Sequence, residues 1–233
     1  MSFVNRSKLI EMKLIIYPLF ISCLLFFGCN SKAQEHNYHK EATLLNDSAV
    51  TMSFWGDTAK VMEAIKLLNE ATDIQPDYYS AYWNKLMFQR QLGLMDDAFA
   101  TLKVMEQIRS KNPDLKTMLG TFYEQYKQDT IQAMVKYREA DLLYKSILDT
   151  ITPNSLSYQS IITSYALNLK MLGKNFEADS ILLLFIQNYY YNDKEEYKVF
   201  KQFIETNIIK KTREELINLK PADFNYCNSN NDD

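Results

Sequence analysis

From residue 57 onward the apolar positions of this chain return every three to four residues, the period of an amphipathic helix. Val61, Ala64, Ile65, Leu68, Ala71 and Ile74 share one face of a helix over 57–74, with Asp57 as its N-cap and Pro76 beyond its end. A second helix is predicted over 79–92, stopped at Gly93, and a third over 97–110, capped by Asp96. Asn112-Pro113 restarts the pattern, with Asn as N-cap and Pro at the first helical position. Helices follow over 115–126, carrying Leu119, Phe122 and Tyr123, and over 130–149, carrying Ala133, Tyr137, Ala140 and Tyr144. Pro153 precedes a helix over 155–172 that ends at Gly173, and Asn175 is placed as the cap of 176–189. Segments 194–208 and 212–219 complete the series, and no stretch reads as a strand.

The pattern also repeats over a longer distance. Glu63-Ala64-Ile65, Leu68, Ala71 and Ile74 come back 34 residues later as Asp97-Ala98-Phe99, Leu102, Met105 and Ile108. Pro76, Pro113 and Pro153 each open the first helix of a pair, and Gly93…Ala98 and Gly173…Ala178 share one spacing. Together with Leu119-Gly120 and Tyr123, these positions resemble the tetratricopeptide repeat family, whose unit is a helix-turn-helix of 34 residues. The resemblance covers about residues 45–190. It implies an all-α fold, a right-handed superhelical solenoid of helix pairs with C-terminal capping helices. It also implies a concave face open to a partner. The spacing departs from the family between Ala98 and Ala178, which are 80 residues apart, so the third unit is enlarged.

At the N-terminus, Leu14 to Gly28 is an apolar run preceded by Arg6, Lys8 and Lys13, the layout of a secretory signal. Met12-Lys13 directly before it would make a compact start, so Met12 is a candidate initiator. Three fates fit the segment. Leu25 to Cys29 resembles a bacterial lipobox, with Gly28 and Cys29 in place and Phe26 and Phe27 unusual for it; cleavage there leaves Cys29 lipidated. Ser31-Lys32-Ala33 offers ordinary cleavage after Ala33, and an uncleaved anchor is the third fate. The position of Cys29 where the apolar run stops favours lipidation. Asn30, rather than Asp, follows the cysteine and directs the expectation to the outer membrane. Residues 1–28 thus read as signal, 29–50 as a lipid-anchored polar tether, 51–190 as repeats, 191–220 as caps and 221–233 as a disordered tail.

Composition narrows the chemistry. Without residues 1–28 the chain holds 23 basic and 28 acidic residues, with no basic cluster to attract nucleic acid. Only Cys227 remains besides Cys29, so no disulfide staples the helical domain. Five glycines in 233 residues leave no phosphate-cradling loop. The two histidines, His36 and His39, both precede the helices, so a metal site or His-based triad inside them is not expected. Glu195/Glu196 and Glu214/Glu215 stand among lysines and read as solvated, paired faces. Tyr78, Tyr79, Tyr82 and Trp83 form a cluster that reads either as core or as an exposed binding patch.

No residue set points to catalysis, and no cofactor or metal is expected. The resemblance implies that one side of each first helix lines the groove. These positions are Trp83, Met87 and Arg90 in the second unit, Thr117, Thr121 and Glu124 in the third, and Thr163, Leu167 and Lys170 in the fourth. Their mixture of aromatic, hydroxyl and charged groups suits a protein or peptide segment. The expected protein is a non-enzymatic scaffold of the bacterial cell envelope, with a membrane link through Cys29.

Overall fold

The computed structural model describes residues 39–53, 57–152, 155–188 and 194–217. The signal, Cys29, the tether up to residue 38, Tyr189–Tyr191 and the tail lie outside the described residues. Within them the chain is all-helical and has no strand. Ten α-helices run in order: α1 (Lys40–Ser53), α2 (Thr58–Ile74), α3 (Tyr79–Gln91), α4 (Met95–Ile108), α5 (Pro113–Gln125), α6 (Thr130–Leu148), α7 (Leu156–Met171), α8 (Asn175–Asn188), α9 (Lys194–Ile204) and α10 (Arg213–Ile217). A single π turn, Glu205–Ile209, follows α9. The chain divides into two compact units, and the boundary, between Lys136 and Tyr137, falls within α6.

In the unit ending at Lys136, consecutive helices pack as neighbours: α1 on α2, α2 on α3, α3 on α4 and α4 on α5, with α1 also reaching α3. Val61, Ala64, Leu68, Ala71 and Ala81 lose all exposure in one core cluster. Leu86, Ala98, Leu102, Met105 and Leu119 do so in a second, where Phe99 stacks near Phe122 and meets Tyr123 edge-on at 5.1 Å. Full burial of a Leu-sized side chain contributes about 1.5–3 kcal/mol, so these two clusters dominate the unit's stability. In the unit beginning at Tyr137, α7 packs on α8, and the π turn and α10 close on them. One large cluster holds it, with Ala140, Ala166, Ala178, Leu182 and Ile204 fully buried.

The helix ends follow local chemistry. The Asp57 carboxylate accepts from the Ala59 N–H at 2.9 Å, and the Asn112 side chain accepts from Asp114 and Leu115. Ser155 does the same for Tyr158. At Gly93 (φ +72°) the Gly93 N–H donates to Arg90 and the Leu94 N–H to Gln89. At Gly173 (φ +75°) the Gly173 N–H donates to Lys170 and the Lys174 N–H to Leu169. Both are Schellman stops, in which a left-handed residue turns two late N–H groups back onto orphan carbonyls. Each leads into a fully buried alanine, Ala98 or Ala178, whose N–H bonds to Leu94 or Lys174. The spacing shared by the two glycine–alanine segments therefore encodes one local structure, built once in each unit.

Several expectations need correction. The polar tether was placed up to residue 50, but α1 starts at Lys40 and buries Ala42, Asn46 and Ala49. Its core-facing residues are small or amide-bearing, so its apolar stripe is faint in sequence. Asn46 is held there by Asn84, whose amide donates to it at 2.8 Å. Asp96 lies in the first turn of α4 rather than at its cap, which is Leu94, and Asn175 is already helical. Both shifts come from the Schellman stops, after which the next helix starts within two residues. Ile74 is more exposed than its place in the stripe implies.

The stop after α5 differs. Gln128 takes φ +54° where the stops after α3 and α7 use glycine. A side chain in the left-handed region costs about 1–2 kcal/mol. Nothing lies within 4 Å of a Cβ built on Gly173, so Gly173→Ala acts through the backbone alone. We expect Gly173→Ala to lower, and Gln128→Gly to raise, the unfolding free energy by about 1 kcal/mol in urea titrations. Equal midpoints for all three proteins would contradict this account of the stops.

Candidate partner-binding groove

The residues expected on the groove fall into three groups. On α3, Trp83, Met87 and Arg90 are spaced i, i+4 and i+7 and are all partly buried. Trp83 packs against the cluster around Leu86 and Leu102, whereas Met87 packs against that around Ala64 and Leu68. The Arg90 guanidinium lies over the Phe122 ring of α5, 5.8 Å from its centroid. Burial pushes Arg90 down from the usual arginine range. The tyrosines nearby are core rather than patch. Tyr78 is buried, Tyr79 and Tyr82 are partly so, and Arg109 covers the Tyr79 ring at 3.7 Å.

On α5, Thr117, Thr121 and Glu124 are partly buried. The Thr117 hydroxyl donates to the Pro113 carbonyl and the Thr121 hydroxyl to the Thr117 carbonyl. Both donors are thus spent on the helix's own backbone. Thr117 and Glu124 each have a further partner.

The third group departs from expectation. Thr163 and Lys170 of α7 are only 3% and 2% exposed, and Leu167 is partly buried. The Lys170 ammonium pairs with Asp179 of α8 at 2.7 Å and donates to the Ile209 carbonyl at 3.2 Å. Arg213 Nε donates to the Met171 carbonyl at 2.8 Å, pinning α10 to the same end of α7. A cation at the end of the π turn satisfies a carbonyl that the helix leaves without an intrahelical partner. The C-terminal segment therefore packs on the end of α7 that carries Lys170, and Thr163 and Lys170 are buried rather than open to a partner. Sequence reasoning missed this because these contacts come from residues 39 and more positions further along the chain.

A buried and a partly buried carboxylate, Asp141 and Glu106, organise much of the remaining charge. Glu106 accepts from Lys136 at 2.7 Å and from Lys116. Burial pushes its carboxyl up, but these two hydrogen bonds outweigh burial and hold it below the ordinary range. Asp141 accepts from Lys145 at 3.0 Å, the Tyr165 hydroxyl at 3.0 Å and Lys174 at 3.3 Å. Burial raises its carboxyl too, and the three donors again win. Burial and the bond to Asp141 push the Tyr165 hydroxyl up. Both centres join helices within one unit, so they hold packing together.

One carboxylate of each pair near the C-terminus has a partner. Glu195 bonds Lys198, while Glu215 and Thr212 form a reciprocal capping box at α10. Among the described residues no group of three or more His, Cys, Asp or Glu is placed to hold a metal ion, and no helix is long and apolar enough to cross a membrane. His39 donates through its backbone N–H to Gln75, and His36 lies outside the described residues. No family model matches the chain, and no curated protein matches it significantly.

Two outcomes test these assignments. Because the Glu106 carboxyl is depressed, its contribution is fully present above the unfolded pKa of about 4.3 and is lost as pH falls through the folded value. Glu106→Gln should lower stability at neutral pH and flatten the acid limb of a stability–pH curve, measured by urea unfolding; an unaltered limb counts against the assignment. Lys170→Ala should cost about 2 kcal/mol in the same assay, since it leaves Asp179 and a carbonyl without their cation. A neutral result would return Lys170 to the open groove.

Proposed function

We propose that this protein is a non-enzymatic scaffold of the bacterial cell envelope. Its helix pairs stack as a tetratricopeptide-like, right-handed solenoid that holds a protein or peptide segment. Cys29 carries the lipid that fixes it to the outer membrane. The observation that supports this most is the repeated helix-pair design. Adjacent helices pack in sequence, and the same Schellman stop and buried alanine occur at Gly93–Ala98 and Gly173–Ala178. Units of this kind bury their faces on each other and leave a broad surface for recognition rather than a closed pocket. The basic stretch, apolar run and Gly28-Cys29 support the envelope address.

Lipid attachment would make the partner's encounter with the membrane effectively intramolecular. A protein of this design also fits a narrower role as an accessory subunit of outer-membrane assembly or of nutrient (glycan) uptake. Cleavage after Ala33 would instead give a soluble periplasmic form of the same scaffold.

Metabolic labelling with a radioactive fatty acid tests the anchor. Label should enter the wild type, and Cys29→Ser should lose it and leave the membrane fraction. Unlabelled wild-type protein would support cleavage after Ala33. Affinity purification of a C-terminally tagged chain from detergent-solubilised envelopes tests the scaffold. A near-stoichiometric envelope protein is the expected result; a chain recovered alone after mild crosslinking removes the scaffold reading.

A further inference from the structure

Helix α6 (Thr130–Leu148) carries an outward row of aliphatic side chains that the core does not use. Ala133, Tyr137, Ala140 and Tyr144 are buried along one side of the helix. On another side Ile131 is 78% exposed, Leu142 70% and Val135 39%. At about 100° per residue the three fall within about 40° of one another, over a length of about 16 Å. Single exposed apolar residues are ordinary, but an aligned row marks a surface that meets something apolar.

The charge beside the row is one-sided. Arg138 and Lys145 lie along one margin and are both exposed, in a chain with more acidic than basic residues. Arg138 has no ion partner among the described residues, and Lys145 shares Asp141 with Lys174. On the opposite margin Glu139 is partly buried and already has a partner. Asp149 stands in line with the row but past the helix end, about 10 Å beyond Leu142. Basic side chains that flank an apolar stripe lay their stems along it and hold their heads at the level of lipid headgroups. The exposed row of α8, Phe176, Leu183 and Leu184, lacks this feature: α8 has no basic residue, and Glu177 is exposed at its margin.

Chain length and area favour the same occupant. Residues 30–39 join Cys29 to the start of α1 at Lys40, and a fully extended segment of that length reaches about 35 Å. A lipid on Cys29 would therefore hold the helices close to a membrane at high effective concentration. A stable protein interface buries roughly 800 Å² on each partner, of which three aliphatic side chains supply only part. A chain already anchored needs far less to settle on lipid.

We propose that the Ile131–Val135–Leu142 row of α6 rests on an anionic lipid surface, with these side chains in the headgroup boundary and Arg138 and Lys145 pairing with phosphates. The assignment rests on the envelope reading and adds to it a second membrane contact, which lays α6 along the membrane plane.

The test uses the mature chain, residues 30–233, with a His-tag in place of Cys29 and a nickel-chelating lipid in the vesicles, so lipidation of Cys29 does not enter. In a Cys227→Ser background, Leu142→Cys carries the environment-sensitive dye NBD, and Leu183→Cys on α8 carries it in the control. On phosphatidylethanolamine–phosphatidylglycerol vesicles the dye at 142 should shift to the blue and be quenched by spin-labelled lipid, while the dye at 183 stays as in solution. Arg138→Gln should lower the ratio of docked to free dye about fivefold, and phosphatidylcholine vesicles should lower it too. Thermal melts check that the variants fold. A dye at 142 that stays as in solution, equal quenching at 142 and 183, or an unchanged ratio in Arg138→Gln overturns the proposal. So does a blue shift without quenching that grows with protein density, which would mean that a second copy covers the row. Quenching at 142 together with no fatty-acid label on the wild type would remove the anchor and keep the lipid contact; the reverse pair of results removes the contact alone.

Discussion

Two helices of a pair can share a core only where their backbones come close, and at the closest positions a side chain must shrink to a methyl group. In this protein those positions are alanines with no exposure at all: Ala64, Ala71, Ala81 and Ala98 in one unit, Ala140, Ala166 and Ala178 in the other. Leucines and tyrosines fill the space on either side, as Leu68, Leu86, Leu102 and Tyr144 do. Interiors packed at crystal-like density do not accommodate an extra methylene without strain. The helix spacing, the position of each turn and the rows of residues left facing outward all follow from those small side chains.

The turns are the second half of the same constraint. A helix that overran its partner by one residue would rotate its alanine off the crossing by about 100°, since a turn takes 3.6 residues. The left-handed glycines at 93 and 173 stop their helices at the right place, and the next helix starts within two residues of each. After α5, Gln128 takes the same region without a glycine. Glycine is scarce here because few positions need it.

Most of the helical series was legible in the sequence because its signals are local. Asp57, Asn112-Pro113, Gly93 and Gly173 mark ends through chemistry within a few residues, and the stripes between them show three-to-four spacing. Helix α1 was poorly marked because Ala42, Asn46 and Ala49 carry little hydrophobic signal, and Asn46 finds its partner in Asn84, 38 residues away. The expected groove residues of α3 and α5 are partly buried. The burial of Lys170 on α7 was not legible, because Lys170 reads as a surface cation until its contacts with Asp179 and Ile209 are seen. A charge held by partners this distant in sequence leaves no periodic trace.

The closure over α7 also bears on how such a chain can change its length over evolution. Repeat proteins grow and shrink by gaining or losing whole helix pairs. A pair inserted after α8 would have to displace the π turn and α10 and strip the Ile209 carbonyl from Lys170, leaving the buried ammonium with Asp179 alone. In relatives of this protein the α7–α10 block should therefore be inherited as one piece.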